Sequence, residues 1–111
     1  MILKAWALAF LITQAIEVPI YALGLRRRGW GLAMLLGGGA SALSHPLVWF
    51  VIQPMMEPRA SFAAFVVVAE LFAWSLETVY LRLADAPWQR SAVLALVANA
   101  TSVTLGWLLL R

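Results

Sequence analysis

Glu17, Glu70 and Glu77 are the residues of this chain best placed to do chemistry, and all three fall inside long apolar runs. The stretch AELFAWSLETVY, residues 69–80, carries two of them seven positions apart. On a helix that spacing is two turns and nearly one direction. An ionisable group near a bilayer centre costs roughly 2.5–3.5 kcal/mol on insertion scales, so it turns to a bundle interior or a water-filled path. Carboxylates held there exchange protons, bind cations or anchor other polar groups. Asn99, His45, Ser41, Ser44 and Ser102 complete the candidate ligand- or ion-binding set. The chain has no cysteine, which excludes disulfides, thiolate metal sites and cysteine nucleophiles. Oxygen donors suit hard cations such as Mg²⁺ or Mn²⁺, but no residue pattern specifies a metal or a cofactor.

The elements that must position these groups follow from composition. Of 111 residues, 64% are hydrophobic and 12% charged, against about 45–50% and about 25% in soluble domains. A small soluble fold exposes too much of its surface to hide that apolar share, so the chain reads as an integral membrane protein. Apolar segments cover about 5–25, 30–52, 62–83 and 91–110, each near the roughly 20 residues that cross a bilayer. Backbone polar groups in lipid must be satisfied within the segment, so these are helices. The expected fold is all-α, a four-helix membrane bundle forming one transmembrane domain over 1–111. RRRGW (26–30), QPMMEPRA (53–60) and ADAPWQR (84–90) break the runs. The first run continues past Gln14 and Glu17 to Leu25, so it reads as a span rather than a cleaved leader.

The pI near 10.2 does not indicate nucleic acid, because the basic residues punctuate apolar runs instead of forming a patch. Arg26, Arg27, Arg28, Arg82 and Arg90 flank one side of the expected topology, and Lys4, Arg59 and Arg111 the other. The positive-inside rule then puts both termini outside the cytoplasm, in what is expected to be a bacterial inner membrane. Trp30, Trp88, Trp49 and Trp107 fall at span ends and read as interface anchors.

At 1.5 Å per residue, Glu17, Glu77, Asn99 and Ser41 lie roughly 9–17 Å from the cytoplasmic edge and form one tier. His45 and Glu70 form a second tier further out, with Ser44 between. Neighbour spacing gives each helix one polar or small-residue stripe. These are Gln14, Glu17 and Tyr21; Gly37, Gly38, Ser41, Ser44 and His45; Glu70, Ala73, Trp74 and Glu77; and Asn99, Ser102 and Gly106. Four inward stripes predict a polar axis.

Plainer roles compete at each position. GGGAS (37–41) reads first as a close-packing device, and Asn99 with Ser102 as interhelical hydrogen-bonding. Pro19 and Pro46 should kink their helices and free a carbonyl four residues back. His45 is expected to bond such a carbonyl or Glu70, ahead of a proton-relay or metal-ligand role. The halves also align at an offset of 58: Trp30 with Trp88, Ala40 with Ala98, Ser41 with Asn99, Ser44 with Ser102 and Trp49 with Trp107. With small gaps Glu17 meets Glu77 and Tyr21 meets Tyr80. Such a duplication would make two helical hairpins related by an axis along the membrane normal.

EVPIY (17–21), SHPLVW (44–49), AELFAWSLETVYLR (69–82) and ANATSVTLG (98–106) resemble an uncharacterised group of short four-span bacterial and archaeal membrane proteins. That group carries Glu-x-Pro, polar-Pro, paired-Glu and Asn-x-x-Ser helices. Glu17, Pro19, Ser44, Pro46, Glu70, Glu77, Asn99 and Ser102 match, while His45 stands where the group usually has Asn. The resemblance implies the four-span fold and no known activity.

The functional expectation is transport or binding of protons, a small cation or a solute, in a homo-oligomer or with partner membrane subunits. The alternative is a structural or accessory subunit of a larger membrane complex. An intramembrane lipid-modifying enzyme ranks last, since the sequence carries no nucleophile motif, phosphate loop or metal signature.

Overall fold

A computed structural model describes residues 2–57 and 59–110; Pro58 of the expected second break and Arg111 lie outside them. The long helices are α1 (Ile2–Leu25), α2 (Trp30–Leu47), α3 (Phe62–Leu83) and α4 (Trp88–Leu110). The stretches Leu3–Arg28, Trp30–Met56, Phe62–Leu83 and Trp88–Leu109 are each long and apolar enough to cross a membrane.

The first span ends in a tight 3₁₀ turn, Arg26–Arg28, followed by Gly29 at φ 96°, ψ 140°. That backbone region is almost closed to residues with a Cβ. Gly29→Ala is therefore expected to lower the unfolding free energy by about 1–3 kcal/mol. Gly31→Ala, inside α2 and facing open space, should be neutral or stabilising. Detergent unfolding followed by tryptophan fluorescence checks the pair. At the same end, α3 stops with Asp85 at φ 72°, a conformation aspartate tolerates, and Ala86 N–H returns to Leu81 O at 3.0 Å. The Arg28 guanidinium donates to the Ala84 carbonyl, tying the two connections together.

Three boundaries differ from expectation. The second span runs on to Met56 instead of stopping near 52, through a wide turn at Val48–Ile52 and a last helical turn at Gln53–Met56. Pro46 cannot donate to the carbonyl four residues back. The helix then widens, and Gln53 N–H reaches Val48 O, five residues away. Pro54 sits in the first turn of the terminal piece, where a missing N–H is harmless. At α4 the helix begins at Trp88 rather than 91, because Pro87 presets the start and its carbonyl takes Ser91 N–H at 2.9 Å. The first helix is also longer, beginning at Ile2 rather than 5. Ser61 caps α3 by accepting Ala64 N–H at 3.1 Å.

Helix α1 packs along α2 and α4, and α3 along the same two, so the four stand in a square with α1 and α3 on one diagonal. The chain extends 43 Å along its longest axis, enough to clear a hydrocarbon core of about 30 Å. Its polarity is inverted relative to a soluble protein. Leu35, Leu83 and Leu109 are exposed while Glu17 and Glu77 are 1% exposed. The close-packed core gathers toward the end bearing the two short turns, from Tyr21, Leu25, Ala33, Ala40, Leu81 and Ala98. Gly37 permits this packing, since a Cβ there would lie 2.6 Å from Tyr21 Cβ.

Candidate functional site

Glu17 and Glu77 reach the middle of the square from diagonally opposed helices. The expected polar axis is present. Glu17 Oε1 accepts Ser41 Oγ at 2.7 Å, and its Oε2 accepts Ser102 Oγ at 2.5 Å. Glu77 Oε2 accepts Ser44 Oγ at 2.6 Å. Glu77 Oε1 accepts the Tyr21 hydroxyl and, at 3.2 Å, Asn99 Nδ2. The second amide hydrogen of Asn99 goes to Ala95 O at 2.8 Å, so both its donors are used.

These contacts alternate between neighbours. Glu17 takes one bond from α2, the next helix in the chain, and one from α4; Glu77 takes one from α4, its own successor, and one from α2. Each carboxylate therefore joins both of its flanking helices. Every one of the bonds is donated by a hydroxyl or amide. Among the described residues, the Lys and Arg side chains lie in connections or in the first or last turns of the spans, none at mid-helix. Two buried acids thus have ample donors and no cationic partner among the described residues. Leaving a buried charge uncompensated costs several kcal/mol, so the site calls for a proton or a bound cation.

The polar floor faces a cavity of about 780 Å³ that occupies the half of the bundle away from the short turns. All four helices line it, with Glu17, Glu70, Ser44, Asn99 and Ser102 among apolar and aromatic side chains. Glu77 lies behind this wall, reached through Ser44 and Asn99.

Six of the eight expected site residues converge: Glu17, Glu77, Asn99, Ser41, Ser44 and Ser102. The two-tier expectation is corrected for Ser44, which joins the glutamate band, because a glutamate side chain spans the one-turn offset. Glu70 lines the cavity and takes no hydrogen bond from any described residue. The expected bond of His45 to Glu70 or to a freed carbonyl is absent: its Nδ1 is buried without a partner. Its ring lies instead among Phe10, Trp49 and Trp6, with centroids 5.4, 6.0 and 6.2 Å away. No hydrogen bond links Ser44 to His45, so they form no nucleophile–base pair. Among the described residues no three His, Cys, Asp or Glu side chains converge to hold a metal.

Tyr21 belongs to the site and is not in the expected set. The signal was present, since Tyr21 follows Glu17 by one turn on the same stripe, and a buried hydroxyl needs a partner. Trp74 donates to Ala92 O at 2.9 Å and Gln14 to Gly38 O at 3.1 Å, cross-bracing α3 to α4 and α1 to α2. Compared with known proteins, the chain matches no family model, no curated protein and no solved structure, so its function is argued from this geometry.

Proposed function

We propose that this is an integral membrane transport protein that binds a proton or small cationic solute at Glu17 and Glu77 and passes it across the bilayer. One observation carries the reading: two fully buried carboxylates are supplied with donors but with no basic partner among the described residues, Glu17 on the wall of a cavity in one half of the bundle and Glu77 behind it. Access from one side with close packing on the other fits one state of an alternating cycle. Crossed contacts that pair Glu17–Ser41–Ser102 with Glu77–Asn99–Ser44 follow the offset of 58 between the halves. They support two repeated hairpins about an axis along the membrane normal. Basic residues at the short turns support those turns facing the cytoplasm of a bacterial inner membrane, both termini outside. Four helices are few to enclose a complete pathway, which favours assembly of two or more copies. The group resembled by the Glu-x-Pro and Asn-x-x-Ser helices would share this arrangement.

In proteoliposomes, flux of protons or cations driven by a gradient should fall at least tenfold in Glu17→Gln and in Glu77→Gln, each reconstituted at matched density. Wild-type flux in both variants would end this reading. The second reading, an accessory subunit, draws on the short connections and apolar outer faces. A stoichiometric partner retained through native purification, with no flux by the isolated chain, would favour it.

A further inference from the structure

The cavity is larger than a bare inorganic ion needs. Its 780 Å³ would hold on the order of 25 water molecules at about 30 Å³ each, well beyond the shell of one bound ion. Pockets that bind organic molecules fall at about 300–1,000 Å³, mostly apolar with a few convergent polar groups. This one fits that description. Trp49, Phe62, Phe65 and Trp107 supply rings on the walls, and Glu17 and Glu70 supply the acids.

The two cavity acids differ. Both oxygens of Glu17 are occupied by serine hydroxyls. Glu70, two turns from Glu77 on α3, lines the wall with neither oxygen hydrogen-bonded to a described residue. An acid with unused acceptors that shares a cavity with aromatic rings is matched by a cation with an apolar body. Such a group is attracted to ring faces within about 6 Å and needs no full hydration shell. A neutral acyl chain would fill the walls but leave Glu70 unanswered, and an anionic amphiphile would meet two acids.

We infer that the cavity binds an amphipathic organic cation of the aryl- or alkylammonium class, its charge against Glu70 and its body among the aromatic rings. This rests on the transport reading and names the solute class that enters by the cavity in front of the Glu17–Glu77 pair. Glu70 meets the ligand at the entrance, and the Glu17–Glu77 pair lies deeper.

The test uses purified full-length protein in nanodiscs and benzyltrimethylammonium as the probe, read by tryptophan fluorescence and calorimetry. Benzyl alcohol and benzenesulfonate serve as neutral and anionic controls. The expected result is saturable binding of the cation alone, weakened at least tenfold by Glu70→Gln. Gly106→Phe should also weaken it at least tenfold by filling the cavity, since a Cβ at Gly106 meets nothing within 4 Å. Both variants should unfold at the wild-type midpoint. Equal binding by the controls, or wild-type affinity in Glu70→Gln, would overturn the inference. Absence of probe binding while gradient-driven flux persists would overturn it alone; absence of both would overturn the transport reading with it.

Discussion

Replacing Glu77 with leucine is expected to lower the unfolding free energy by about 2–4 kcal/mol, the largest loss among the three glutamates of the span-length helices. The Tyr21 hydroxyl, Ser44 hydroxyl and Asn99 amide all end on this carboxylate. Leucine would strand all three donors in a site where Glu77 is 1% exposed. A buried donor without a partner costs about 1–3 kcal/mol. Interhelical bonds in membrane proteins average nearer 0.6 kcal/mol because the unfolded chain also finds partners, which holds the sum at the lower end. Glu17→Leu strands the Ser41 hydroxyl and leaves Ser102 the Asn99 carbonyl at 3.2 Å, and about 1–3 kcal/mol is expected. Glu70→Leu strands none and should be neutral or slightly stabilising. The order Glu77, Glu17, Glu70 is the discriminating result, read from unfolding in mixed micelles. A Glu70 variant as unstable as the Glu77 variant would contradict the bonding described here.

Gly37→Ala is the second large effect. The added Cβ would sit 2.6 Å from Tyr21 Cβ and 3.2 Å from its ring. Tyr21 is fully buried and fixed at its far end by Glu77, so neither residue has room to yield. Overpacking of this kind costs about 1–3 kcal/mol, and here it would also shift a donor of the carboxylate pair. Gly38→Ala is the control. Its Cβ would meet Gln14 Oε1 at 3.7 Å, an ordinary contact, and alanine is the better helix former by about 0.8–1.0 kcal/mol. The neighbouring substitutions should therefore act in opposite directions.

Much of this arrangement was legible in the sequence because lipid imposes a severe rule. Length and apolarity located the spans, and a fixed rise per residue placed Glu17, Glu77, Asn99 and Ser41 at one depth. Placing Ser44 and Ser102 in the same band required side-chain reach, which residue counting omits. The span boundaries slipped where prolines have positional meaning: Pro54 and Pro87 begin helical turns instead of ending them. His45 was misread because the carbonyl freed by Pro46 seemed its natural partner, whereas the helix relaxes locally into wider turns and the ring packs among aromatics. Tyr21 shares the Glu17 stripe, but the reach of its hydroxyl across the bundle to Glu77 depends on packing that helical spacing does not carry.

The central claim is that the two glutamates meet the opposite hairpin on the bundle axis, and the absence of native cysteine makes it directly measurable. Three double variants are needed: Glu17→Cys with Ser102→Cys, Glu77→Cys with Ser44→Cys, and Glu17→Cys with the outward-facing Leu83→Cys. Each is treated with a short bifunctional thiol reagent and weighed by intact mass spectrometry. Bridging within one chain in the first two pairs and not in the third is the predicted result. Failure of both axial pairs to bridge, with their thiols modified singly by a lipid-soluble reagent, would contradict the account.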